Sequence, residues 1–341
     1  MTNQALRAQL KAWLAARPSD TDPSWLAWSE NELAEFWQRT EHLEFKARDG
    51  VRICYGVWPQ PEPSPWLILL PGRIEAYIKY QEVALEWAAK GYSVAIIDHR
   101  GQGFSDRLTD RHEHGHVHRF ADYVHDIADW MEVLAPRIDN QPAKLLAHSM
   151  GAAIGALYLA GYAQTKAPFA FEKAMLCSPM MGINTKPWPP AIGKAVVRAG
   201  AWIKQKIAPE RAHYFIAMKD YETLPFEENR LTHSRARYQF LSEQYHQHPR
   251  IRVGGPTWQW LTEALHVIDI MPKILGRIQI PVLLLQAGAD EIVDLAAQEL
   301  NAQYIQNVDF HVIKGSAHEI LMETDAIRNR ALALMGVSHP Q

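Results

Sequence analysis

Short, nearly unbroken apolar runs punctuate the chain at Trp66 to Leu70, Ser93 to Asp98, Lys144 to Ala147, Ala174 to Ser178, Val282 to Gln286 and Asp309 to Lys314. Runs of this length and composition predict strands buried on both faces of a sheet. Between them, Tyr80 to Lys90, Asp122 to Ala135, Met150 to Tyr162, Leu295 to Ile305 and Asp325 to Met335 read as helices, and an antiparallel pair, His42 to Lys46 with Val51 to Trp58, precedes them. Strands alternating with helices predict an α/β fold with a doubly wound, mostly parallel sheet. The alternation fails from Gly182 to Lys273, too long a stretch for a simple crossover, so residues 183–273 read as an inserted, mainly helical cap on a core of 41–182 and 274–341. Residues 1–40 read as an N-terminal helical extension, with Leu6, Leu10, Trp13 and Leu14 on one helical face that suits either packing on the body, the favoured reading, or a lipid interface.

The run Leu145-Leu146-Ala147-His148-Ser149-Met150-Gly151-Ala152 combines a strand, a tight turn with one serine, and a small-residue helix start. This is the pattern of a nucleophile elbow, with Ala147 where a glycine is usual. A serine needs a base to attack an ester at neutral pH, and the base needs a carboxylate to fix its tautomer. Both partners follow in order. The run ending Gly288-Ala289-Asp290 offers Asp290 as the acid, with Asp294 as the alternative, and Lys314-Gly315-Ser316-Ala317-His318 delivers His318 after a late strand. Asp290 also suits a helix cap, and that reading stays open. Two backbone amides should face the oxyanion: that of Met150, after the serine, and that of Arg73, after the Pro71-Gly72 turn. The Arg73 side chain fits either an anionic phosphate or a salt bridge with Glu75.

Composition narrows the class of protein. A net charge of −3 lacks the basic excess of a nucleic-acid binder. The two cysteines, Cys54 and Cys177, sit in apolar runs and look like core residues of a protein from a reducing compartment. The N-terminus lacks the apolar stretch of a signal peptide, and no run approaches a membrane span, so a cytoplasmic location is expected. No cofactor is implied. His112, His114, His116 and His118 alternate as metal ligands might in an extended segment, but the serine chemistry needs no metal and a polar loop explains them. Asp98 to Asp106 has two glycines but lacks the lysine of a phosphate loop, and reads as a structural loop bordering the site. The cap carries Trp188, Trp202, Tyr214, Phe215, Tyr221, Phe226, Tyr238, Phe240, Trp258 and Trp260, after a proline-rich entry at Pro187, Pro189 and Pro190. About one in three of these aromatics is expected to line an acyl channel, the rest forming the cap's own core. Its arginines, at 230, 235, 250 and 252, suit either a polar headgroup or pairing with Glu227 and Glu228.

The blocks Pro71-Gly72-Arg73-Ile74-Glu75-Ala76-Tyr77, Asp98-His99-Arg100-Gly101-Gln102-Gly103, Ala147-His148-Ser149-Met150-Gly151, Leu231-Thr232-His233-Ser234-Arg235, Arg252-Val253-Gly254-Gly255-Pro256-Thr257 and Lys314-Gly315-Ser316-Ala317-His318-Glu319 together resemble the bacterial lysophospholipases. These belong to the monoacylglycerol-lipase-like, serine aminopeptidase S33-type branch of the α/β hydrolases. The resemblance spans roughly Arg48 to Met335. It implies a capped hydrolase that cleaves the acyl ester of a lysophospholipid and associates peripherally with the inner, cytoplasmic membrane. A monoacylglycerol lipase or general carboxylesterase would share every catalytic residue. A peptidase of the same fold and a noncatalytic binding protein on this scaffold are further alternatives.

Overall fold

The computed structural model describes residues 3–164, 166–184, 190–207 and 212–337. Its strands are β1 (Glu41–Lys46), β2 (Arg52–Trp58), β3 (Trp66–Leu70), β4 (Ser93–Ile97), β5 (Ala143–His148), β6 (Phe171–Cys177), β7 (Val282–Ala287) and β8 (Val308–Ile313). They form one sheet in the order β1-β2-β4-β3-β5-β6-β7-β8. β1 and β2 pair antiparallel, β2 joins β4 antiparallel, and the strands from β4 to β8 are parallel. This is the doubly wound, mostly parallel sheet that the apolar runs predict, in the arrangement that the resemblance to α/β hydrolases implies.

The helices are α1 (Asn3–Ala15), α2 (Ser24–Trp28), α3 (Ala34–Trp37), α4 (Gln81–Ala89), α5 (Phe120–Ile138), α6 (Ser149–Ala160), α7 (Pro190–Ile207), α8 (Arg235–Gln247), α9 (Trp258–Ile274), α10 (Leu295–Ala302) and α11 (Asp325–Met335). Alternate strand residues point to opposite faces, so each strand feeds two cores. Ile68, Leu70, Leu145 and Ala147 meet Phe120, Trp130 and Ile154 of α5 and α6. Leu67, Leu69, Ile96 and Leu146 meet Leu10 of α1, Val83 and Trp87 of α4, and Leu332 of α11. Helix α5 runs past the expected stop at Ala135, through Pro136, to a fully buried Ile138. The proline forfeits a single hydrogen bond near the helix end, and burial of the last apolar residue offsets that loss. Between β6 and β7 lie α7, α8 and α9; Trp188, Pro187 and Pro189 fall outside the described residues.

The parallel strands all end at the same edge, where the crevice of an open α/β sheet forms. β3, β5, β7 and β8 deliver to it the loops that carry Arg73, Ser149, Asp290 and His318. No described helix is long and apolar enough to cross a membrane.

Candidate active site

Ser149 leaves β5 with a φ of +50° and opens α6. A non-glycine residue at positive φ is strained, and such strain gathers where a side chain must be held out from a corner. The turn is possible because of Gly151: a Cβ there would lie 2.3 Å from the Pro71 carbonyl oxygen and 2.4 Å from that of Leu70. Ala147, the substituted elbow position, is fully buried within the strand.

The Ser149 hydroxyl Oγ lies 2.8 Å from Nε2 of His318, and His318 Nδ1 lies 2.6 Å from Asp290 Oδ2. All three residues are buried. The other oxygen of Asp290 accepts the amides of Ile292 at 2.7 Å and Val293 at 3.1 Å. Burial opposes ionisation of this carboxyl, but His318 and the two amides hold it below the usual aspartate range. Asp294 instead caps α10, accepting from the Ala297 amide at 3.2 Å. The structure thus brings Asp290 to the histidine and leaves Asp294 at the helix start. The turns carrying Asp290 and His318 are stitched together, Gly288 N to Ile313 O at 3.0 Å and Ala289 N to Ser316 O at 2.8 Å.

Arg73 follows β3, and it lines the same cavity as Ser149 and His318. Met150 sits in the first turn of α6, where an amide has no acceptor within the helix. Asp98 to Asp106 braces the Arg73 loop: Gln102 donates to the carbonyls of Gly72 and Glu75 at 2.7 and 2.9 Å, and His99 Nε2 meets that of Pro71 at 3.1 Å. The expected alternative of an Arg73–Glu75 salt bridge is not formed. Glu75 turns inward to Lys79 Nζ at 2.8 Å and His148 Nδ1 at 2.9 Å, where burial selects fully compensated charges.

Sequence reasoning missed this second layer. Lys79 also pairs with Glu319, next to His318, at 2.6 Å, and Tyr80 donates to Glu75 at 2.5 Å. His148 faces an acceptor at each ring nitrogen, Glu75 on one side and the His318 carbonyl at 3.2 Å on the other. Two acceptors call for two protons. Burial opposes the imidazolium, yet the Glu75 carboxylate raises the His148 pKa. The His318 carbonyl also accepts the Ser178 hydroxyl at 2.7 Å, so the backbone of this residue is pinned from two sides. The i,i+4 spacing of Glu75 and Lys79 was the one signal in sequence for this cluster.

Above Ser149 lies a mostly apolar cavity of about 680 Å³, walled by Met180, Leu224, Leu241, Trp260, Leu261 and Val293 among others. Of the aromatics singled out between β6 and β7, Tyr221, Tyr238 and Trp260 line it. Phe215 packs on Trp258 and Phe240 on Trp25. Arg235 pairs with Glu227 at 2.6 Å and Arg230 with Glu291 at 3.3 Å, while Arg250 and Arg252 donate to backbone carbonyls. The histidines of the 112–118 segment bond to protein groups, His116 to Thr257 at 3.0 Å and His112 to the Arg250 carbonyl at 2.7 Å. Among the described residues, no cluster of potential ligands could hold a metal ion.

Comparison with known proteins agrees with this geometry. The chain is 34% identical over 322 residues to lysophospholipase L2 of Escherichia coli K12, covering 90% of this chain and 89% of that one. It is 32% identical to the probable lysophospholipase L2 of Haemophilus influenzae, over 88% and 92% of the two chains. A soluble variant of the Saccharomyces cerevisiae monoglyceride lipase, solved with a substrate analog, superposes with a TM-score of 0.66 at 18% identity, over 86% of this chain and 92% of that one. The model of the family described as serine aminopeptidase, S33 matches residues 61–325. With an eight-stranded hydrolase sheet and that match across most of its length, the chain belongs to the serine aminopeptidase S33 family of α/β hydrolases.

Proposed function

We propose that this protein is a serine hydrolase that cleaves the fatty-acyl ester of lysophospholipids through an acyl-enzyme intermediate. The observation that carries the reading is the continuous Ser149–His318–Asp290 hydrogen-bond chain at the base of an apolar cavity large enough for an acyl chain. His318 takes the Ser149 proton as the hydroxyl oxygen attacks the ester carbonyl, and Asp290 stabilises the imidazolium that forms. The amides of Met150 and Arg73 receive the oxyanion. Collapse of the tetrahedral intermediate expels the lysolipid's glycerol oxygen with a proton from His318. Water, activated by the same histidine, then releases the fatty acid.

In this reading residues 183–273 are the cap, 1–40 an N-terminal extension, and 41–182 with 274–341 the hydrolase core. The relatives' names support a lysophospholipid substrate, and the apolar side chains exposed near the cavity, Met218 and Leu224, suit contact with a lipid aggregate at the inner membrane. A monoacylglycerol lipase or carboxylesterase is the second reading, favoured by the mostly apolar wall.

The test is fatty-acid release from lysophosphatidylcholine and from monoacylglycerol, each beside Ser149→Ala. Serine-dependent release favouring the lysophospholipid, with the variant slower by at least about a thousandfold, is expected. Near wild-type release by the variant would overturn the chemistry. Preference for monoacylglycerol or short esters would keep the serine and move the protein to the second reading.

A further inference from the structure

Of the lysines and arginines that line the cavity, all but one are paired with carboxylates. Lys219 pairs with Glu222, Arg230 with Glu291, and Glu75 and Glu319 share Lys79. Arg73 differs. Its guanidinium has no carboxylate within salt-bridge distance among the described residues, and its one hydrogen bond is from Nη2 to the Gly254 carbonyl at 2.7 Å. Its Nε is buried without a partner. Its Cζ lies over the Trp260 ring, 5.1 Å from the ring centre. Gly115 makes room for it: a Cβ there would fall 2.3 Å from Nη2.

An arginine offers five N–H donors and a fork that matches phosphate oxygens. Held against apolar surface without a counter-ion, it carries a desolvation cost that an incoming anion would offset. Burial pushes the pKa of this guanidinium down to about 10, with Tyr123 and Tyr214 offsetting only part of that effect. A latch on the Gly254 carbonyl would account for one donor and leave the others, and the missing counter-ion, unexplained. We propose that the Arg73 side chain reads the phosphate of the lysophospholipid headgroup while its own amide faces the acyl carbonyl. In a lysophospholipid the phosphorus stands a glycerol's length from the ester, which is the reach of an arginine side chain from its backbone nitrogen. This proposal rests on the lysophospholipid reading above.

The experiment compares wild type, Arg73→Gln and Arg73→Lys on lysophosphatidylcholine and on monoacylglycerol of the same chain. Alongside it, inhibition of p-nitrophenyl ester hydrolysis is measured with two nonhydrolysable ethers, one bearing the phosphocholine group and one ending in free glycerol. Arg73→Gln is expected to lose about 10–100-fold more kcat/KM on the phosphate-bearing substrate than on its phosphate-free partner, mainly through KM, with Arg73→Lys in between. The phosphocholine ether should weaken as an inhibitor by a similar factor and the glycerol ether much less. Equal losses for both members of each pair would overturn the proposal and make Arg73 a latch. The ether pair separates the two claims: wild type that prefers monoacylglycerol defeats the lysophospholipid reading, whereas ether inhibition indifferent to Arg73→Gln defeats the arginine's role.

Discussion

Helices α7 and α8 both lie between β6 and β7, and both are fixed by arginine–carboxylate pairs, but the pairs differ in kind. Arg237 of α8, almost fully buried, donates to both oxygens of Glu82 at 2.7 Å, to Asp325 at 2.7 Å and to the Glu323 carbonyl at 2.7 Å. Glu82 also holds Arg17 by a short contact, and neighbouring Glu86 takes Arg328 through both oxygens, at 2.5 and 2.7 Å. This buried network ties α8 to α4, to α11 and to the N-terminal segment. Helix α7 leans on α9 through a small cluster of Val197, Leu265 and Ile268, and its pairs, Lys194 and Arg198 with Asp269, are open to solvent. Ile192, Val196 and Trp202 of α7 face outward. Helix α8, whose Tyr238 and Leu241 line the cavity, is therefore tied firmly to α4 and α11, whereas α7 is lightly fastened.

The largest effect expected from this contrast is that of Arg237→Met. Removing one partner of a buried ion pair leaves carboxylates desolvated and short of positive charge, which costs about 3–5 kcal/mol. Thermal or urea unfolding should show a loss of that order. Acid should act through the same place. Burial opposes ionisation of Glu82, but Arg237, Arg328 and Arg17 hold it well below its ordinary value of 4.5. A carboxylate with a depressed folded pKa contributes stability above its unfolded value and loses it as pH falls. The gap in melting temperature between wild type and Arg237→Met should thus be full near pH 7 and narrow below about pH 4.5. A gap independent of pH would show that Arg237 acts through packing alone.

Asp269→Asn breaks both pairs of α7 at once, yet solvent screens them, and the cost should not exceed about 1 kcal/mol. A loss as large as that of Arg237→Met would erase the distinction between the two helices.

The sheet and the buried arginine network were unequally legible in the sequence. The sheet was readable because strands buried on both faces must be apolar throughout, and β3 matches its run, Trp66 to Leu70, residue for residue. The serine, the histidine and both acids stood out because each follows a strand at a turn. Choosing between Asp290 and Asp294 required the geometry, since both lie near the start of α10 and each accepts backbone amides. The clamp was invisible. Arg17, Glu82, Arg237 and Arg328 lie far apart in the chain, and each reads as an ordinary helix-surface charge until the fold buries them together. The same holds for Arg73, whose nearest acid in sequence, Glu75, looked like its partner until Lys79 and His148 claimed it.

The smallest effect on stability, and the sharpest on the role of α7, belongs to Trp202. It is 63% exposed, so Trp202→Ser changes a mainly solvent-facing position and should change unfolding by less than about 0.5 kcal/mol. A large aromatic in water is nonetheless suited to a membrane–water boundary, where the ring is apolar on its faces and polar at its N–H. If α7 meets the lipid surface during turnover, the variant should hydrolyse lysophospholipid in micelles or vesicles several-fold more slowly while cleaving a water-soluble short-chain ester as before. If both rates hold, the outward residues of α7 play no part at the interface, and the contrast between the two helices is one of stability alone. If both rates fall together, Trp202 supports the site itself, and α7 matters to it as much as α8.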